Sequence, residues 1–160
     1  MNAFQFYNLT VGFGIDKVQL RKNYIAKQMG NHPDLVKQGL DESSLANEFY
    51  QVLQNDFKRH MLALELLAPN ENSKLDNMWL AEMMDLNEII MEAKLDKAIE
   101  ARAEAQLSQH EKATQSELID LTERYDLEGD KTLLKEVNLC LQKAKYFERL
   151  RKIFDGVEEM

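Results

Sequence analysis

Asn31-His32-Pro33-Asp34 is a short polar stretch lying between two helical patterns, and its reading decides the fold. Pro33 fixes its own φ and pushes His32 out of the helical region, so the preceding helix must end here. That helix is predicted over residues 17–29. Leu20 and Tyr24 form its core pair one turn apart, Lys17, Arg21, Lys22 and Lys27 face solvent, and Gly30 with Asn31 makes a C-terminal cap. Before it, residues 2–9 are aromatic-rich, and Gly12, Gly14 and Asp16 read as a loop ending in a helix N-cap. After the turn, residues 39–44 read as loop, with Asp41, Ser43 or Ser44 capping a helix that carries Leu45, Phe49, Val52 and Leu53 at helical spacing. Such a helix packs antiparallel on the first and holds the turn at the tip of the hairpin. Taken alone, the turn is an ordinary loop in which Asp34 caps a backbone amide.

A further helix is predicted over residues 57–67, presenting Met61, Leu62, Leu64 and Leu66. Pro69 and the polar run 70–73 then break the chain. The second half is nearly free of breakers. Helices are predicted over residues 76–93 and 96–125, Gly129-Asp130 is a stop followed by a cap, and a last helix over residues 131–155 carries Leu134, Val137, Leu141, Ala144, Phe147, Leu150 and Phe154. Three long helices with short connections make an up-down-up bundle. The expected fold is therefore all-α, with one domain over residues 1–69 and a three-helix bundle over residues 74–160.

With 160 residues, 44% of them hydrophobic, the chain can bury a core, but its apolar runs are far short of the roughly 20 residues that span a bilayer. The start lacks the basic-then-apolar layout of a signal peptide, and a single cysteine, Cys140, forms no internal disulfide. A cytoplasmic location and no membrane partner are expected. A net charge of −8 argues against nucleic acid as a partner. The charge is unevenly spread. Residues 17–38 hold five bases (Lys17, Arg21, Lys22, Lys27, Lys37) against Asp34, whereas residues 76–93 hold five acids and no base. Two surfaces of opposite sign imply two partners.

Phe6-Tyr7-Asn8-Leu9, Leu20-Arg21-Lys22-Asn23-Tyr24, His32-Pro33-Asp34 and Tyr50-Gln51-Val52-Leu53 follow in an order and spacing that resemble a J-domain, the module that stimulates ATP hydrolysis by DnaK-type chaperones. Trp79-Leu80-Ala81-Glu82-Met83-Met84-Asp85-Leu86-Asn87-Glu88 is similar to the C-terminal domain of the HscB type of J-protein, the co-chaperone of iron-sulfur cluster assembly. The resemblance implies that His32, Pro33 and Asp34 dock on a DnaK/HscA-type ATPase chaperone while Lys17, Arg21, Lys22 and Lys27 steer it. It also implies that Leu80, Ala81, Met84, Asp85, Glu88 and Glu92, joined by Tyr146 from the last helix, bind the IscU-type cluster scaffold. This chain departs from the family where Lys27 replaces a common leucine, Asn31 a common aromatic and Leu35 a common lysine. Gly30 adds freedom at the helix end. These changes lower the expected strength of chaperone stimulation. Ala81 is smaller than the family's usual residue.

The residues themselves also support other readings. On the helix over residues 76–93, Trp79, Met83, Leu86 and Ile90 make an inward face, and the neighbouring face of Leu80, Ala81, Met84 and acids reads equally as broad burial with a solvated rim. The J-domain reading is open to a different client, and the whole chain to a structural helical adaptor with a degenerate turn. An enzyme is not expected: His32, His60 and His110 are dispersed, and no metal-ligand spacing, phosphate loop or nucleophile motif accompanies them. His60 and His110 are expected to be solvated, Cys140 to be a buried structural thiol, and no catalytic residue, metal or cofactor is assigned. One cysteine cannot hold an iron-sulfur cluster.

Overall fold

The computed structural model describes residues 1–30 and 39–158. The His32-Pro33-Asp34 turn, with Asn31, Leu35 and Lys37, lies outside them. Among the described residues every regular element is a helix, and the chain divides into two compact units, Met1–Pro69 and Asn70–Met160. None of these helices is long and apolar enough to cross a membrane.

The first unit contains α1 (Ala3–Phe6), α2 (Lys17–Gly30), α3 (Gly39–Gln54) and α4 (Asp56–Leu67). Asp16 caps α2, its carboxylate accepting from the Val18 and Gln19 amides at 3.0 Å each. Helices α2 and α3 are antiparallel. Tyr24 meets Asn47 and stacks on Tyr50 with ring centroids 4.2 Å apart, while Gln28, one turn further along α2, meets Ser43, one turn back along α3. Phe4, Phe13, Leu20 and Leu53 are fully buried at the centre.

Gly30 is the last described residue of α2, and the cap expected of it with Asn31 lies outside the described residues. Two sequence expectations are corrected here. Residues 39–44 are helical, not loop. Serine and aspartate read as loop or cap because their side chains compete for backbone groups, but Ser43 is engaged elsewhere. Its hydroxyl donates to the Gln28 side-chain carbonyl, and its backbone carbonyl accepts from the Gln28 amide at 3.0 Å. The buried face of α3 is also rotated by one residue. Ala46, Tyr50 and Leu53 are buried, and Leu45, Phe49 and Val52 flank them half-buried.

The second unit is an up-down-up bundle of α5 (Asn77–Leu95), α6 (Glu100–Glu128) and α7 (Leu133–Phe154), with a 3-10 turn over Lys97–Ile99 before α6. Asp76 caps α5 by accepting from the Trp79 amide at 2.7 Å, and Gly129, at φ +67°, ends α6 in the left-handed conformation that suits glycine. Met83, Leu86 and Ile90 of α5 meet Ala103 and Leu107 of α6 and Phe147, Leu150 and Ile153 of α7. Ile153, not Phe154, closes the α7 stripe; Phe154 and Ala144 are half-buried. Arg151 clamps α7 to α6, donating to Glu104 at 2.6 Å and to Glu111 at 2.5 Å. Ser73, from the stretch read as a connection, accepts from Asn138 at 3.0 Å and Gln142 at 2.6 Å, both on α7.

Cys140 is buried, its thiol donating to the Thr114 carbonyl at 3.4 Å, and burial pushes its pKa up to about 12. That is the inert thiol expected. The histidines differ from expectation. His60 is half-buried edge-on to Phe13 (5.6 Å), and His110 is half-buried and stacked on Phe147 (5.3 Å). Polar sequence neighbours concealed these aromatic contacts because the rings come from distant segments.

Candidate interaction surfaces

On the first unit the cationic face is the solvent side of α2. Lys17, Arg21 and Lys22 are exposed and line an open depression of about 480 Å³ with Val18, Ile25 and Tyr50. Val18 and Ile25 are 67% and 44% exposed, so apolar contact area accompanies the charge. The four predicted cations are not equivalent. Lys17 already pairs with Asp56 at 2.8 Å, and Lys17 first, then Arg59, holds the Asp56 carboxyl below its ordinary value. Lys27 is half-buried, its ammonium 4.5 Å from the centroid of Phe6, so its charge is partly spent on a cation–π contact. Arg21 and Lys22 enter no ion pair among the described residues and are the free cations of this face.

On the second unit Leu80, Ala81, Met84, Asp85, Glu88 and Glu92 are all exposed on α5. This decides between the two readings of the helix: the inward face is Met83, Leu86 and Ile90, with Trp79 half-buried, and the neighbouring face is open to solvent. Leu80 and Met84 are 40% and 59% exposed. Met84, Glu88 and Glu92 line a groove of about 590 Å³ between α5 and α7, and Tyr146 stands on its α7 side. Leu80, Ala81 and Asp85 lie outside that lining. Tyr146 is held from two directions: its ring meets Trp79 edge-to-face at 5.2 Å, and its hydroxyl accepts from the Asn87 amide, which also donates to the Met83 carbonyl at 3.0 Å. The aromatic from the last helix is thereby fixed against α5.

Four groove residues escaped the sequence reading, namely Asn87, Met91, Arg149 and Ile153. For the first two a signal was available. Leu80, Met84, Asn87 and Met91 follow i, i+4, i+7, i+11 and share one stripe of α5. Arg149 had none, because its place opposite α5 depends on how α7 is rotated in the bundle. Among the described residues no group of three or more histidine, cysteine or acidic side chains is placed to hold a metal ion.

No protein-family model matches the chain. A co-chaperone protein HscB homolog of Haemophilus ducreyi is 29% identical over 99% of this chain and 96% of its own length. The iron-sulfur cluster co-chaperone protein HscB of Mus musculus is 26% identical over 93% of this chain and 65% of its own. Among solved structures, chaperone HscB from Vibrio cholerae superposes with a TM-score of 0.70 at 19% identity, covering 99% of this chain and 98% of that one; at that identity the likeness concerns the fold. Among the described residues the fold is all-α and matches that of HscB structures, which have an N-terminal J-domain followed by a C-terminal helical bundle. In sequence along nearly its whole length, and in fold, the chain resembles the HscB-type co-chaperones.

Proposed function

We propose that this chain is a non-enzymatic co-chaperone of iron-sulfur cluster assembly. Residues 1–69 act as the J-domain that stimulates a DnaK/HscA-type ATPase chaperone, and residues 74–160 bind the IscU-type scaffold and deliver it. The observation that carries the reading is that similarity to proteins named HscB runs through both units, matching the part that bears His32-Pro33-Asp34 as well as the bundle.

The chemistry of each face fits its role. Arg21 and Lys22, with Lys17 and Lys27 in support, steer an acidic chaperone surface toward the hairpin, and His32, Pro33 and Asp34 dock on it. Leu80, Ala81 and Met84 offer apolar area beside Asp85, Glu88 and Glu92, and Tyr146 supplies a fixed aromatic anchor. Binding both partners on one chain raises the effective concentration of scaffold at the chaperone. Hydrolysis takes place on the chaperone, and no group of this chain enters the reaction.

The test is the steady-state ATPase rate of the chaperone with and without purified scaffold. The wild-type chain is expected to stimulate, and to stimulate more with scaffold present. His32→Gln should abolish both effects, while Leu80→Asp combined with Met84→Lys should remove only the scaffold-dependent part. Stimulation indifferent to scaffold would point to another client. No stimulation at all would leave a helical adaptor.

A further inference from the structure

The groove between α5 and α7 carries charges that its own chain leaves unmatched. Glu88 and Glu92 stand on the α5 side and Arg149 on the α7 side, all exposed. No ion pair among the described residues involves any of the three, although other cations of the bundle, Arg124, Arg151 and Lys152, are paired. Between the two walls the lining is apolar: Leu150 and Ile153 are buried beneath it, and Met84 and Met91, 59% and 44% exposed, lie along it. Met91 stands two turns beyond Met84 on the same stripe of α5, so the apolar strip continues past the apolar residues of α5 that the family resemblance singles out.

Charge complementarity defines the occupant. A segment seated here needs an apolar side chain over the methionines, a cation toward Glu88 and Glu92, and a carboxylate toward Arg149. A wholly basic segment would set like charge against Arg149, and a wholly apolar one would cover that guanidinium without pairing it, and both are costly.

We infer that Met91 and Arg149 are specificity-determining contacts for the scaffold. Met91 seats an apolar side chain, and Arg149 pairs with one carboxylate, so that the bound segment has a single direction along the groove. The inference rests on the reading that this face takes the scaffold. Met91 matters here because its flexible thioether adapts to the seated side chain, and Arg149 because its planar fork matches a carboxylate.

The experiment is calorimetric titration of the full chain with purified IscU-type scaffold free of its cluster, at low and high salt. Arg149→Glu is expected to weaken binding about tenfold at low salt and less at high salt. Arg102→Glu, the same charge change at an exposed α6 position, is expected to stay within about twofold. Met91→Ser should weaken binding at both salt levels alike. One Asp→Lys or Glu→Lys substitution in the scaffold should restore binding to Arg149→Glu while weakening it to wild type. Unchanged thermal unfolding of Arg149→Glu excludes misfolding as the cause. If Arg149→Glu behaves like Arg102→Glu, or no scaffold substitution restores it, the inference is overturned. When wild type still binds in that case and Leu80→Asp with Met84→Lys does not, the scaffold reading itself survives. Failure of wild type to bind overturns that reading instead.

Discussion

Single side chains do different work from what their residue types announce. Tyr7 sits in the sequence as one more aromatic near the start, yet it is buried and its hydroxyl donates to the Ala46 carbonyl at 2.7 Å, tying the segment after α1 to α3. Burial, reinforced by Tyr24 and Tyr50, raises its pKa from 10.0 to about 12. The unfolded chain therefore loses this proton at lower pH than the folded one, so the stabilisation is present below pH 10 and is lost as pH rises toward 12. Tyr7→Phe is expected to show a shallower alkaline loss in far-UV circular dichroism titrations, together with about 1 kcal/mol lower stability at neutral pH from the lost hydrogen bond. Cys140 makes a parallel case in the other unit, with its pKa also pushed to about 12. Neither residue offers a reactive group near neutrality.

At the scale of elements, two arginines fasten helices whose packing looks purely apolar in sequence. Arg59 on α4 is 5% exposed and donates to the Phe13 and Leu53 carbonyls at 2.7 Å each and to Asp56 at 2.8 Å. It satisfies the loop before α2 and the end of α3 with one guanidinium. Arg59→Met should cost about 3 kcal/mol, because the guanidinium's hydrogen bonds to both carbonyls and to Asp56 are lost together. The only tryptophan, Trp79, lies in the second unit. The urea transition followed by circular dichroism should therefore shift, while that followed by tryptophan fluorescence should hold. Arg151 plays the corresponding part in the bundle. Its hydrogen bond, first, and that of Ser108 hold the Glu104 carboxyl below its usual value of 4.5, so this contribution is present above that pH and is lost as pH falls through the lowered value. Arg151→Met should flatten the acid limb of the fluorescence-monitored stability profile, whereas loss of apolar packing alone would shift the whole profile equally.

For the molecule as a whole, two faces of opposite charge predict two salt responses. Arg21 and Lys22 are free to act at a distance, whereas Lys17 is partly neutralised by Asp56. Arg21→Ala with Lys22→Ala is therefore expected to raise the concentration of this chain needed for half-maximal ATPase stimulation several-fold at low salt, and little at high salt. Lys17→Ala should do less. Equal effects of all three, measured as ATPase titrations at two ionic strengths, would mean that the Asp56 pair opens freely.

The existence and order of the longer helices were legible from sequence because they depend on local signals: breakers at Pro69 and Gly129, a cap at Asp16, and apolar residues at helical spacing; the short α1 and the Asp76 cap were not read there. That α5 carries two adjacent apolar faces was legible from the same spacing, but which of them stays exposed was decided only by the packing of the bundle. Ser43, the register of α3 and the histidine contacts were not, because each depends on a partner from a distant segment competing with a local preference. By itself the sequence determined an all-α chain with a basic helix and an acidic one. Which cations remain free, which carbonyls Arg59 satisfies, and that Arg149 faces Glu88 and Glu92 across an apolar groove, only the tertiary structure decided. The rotation of one helix against another is set by packing of both surfaces at once, and no single helix encodes it.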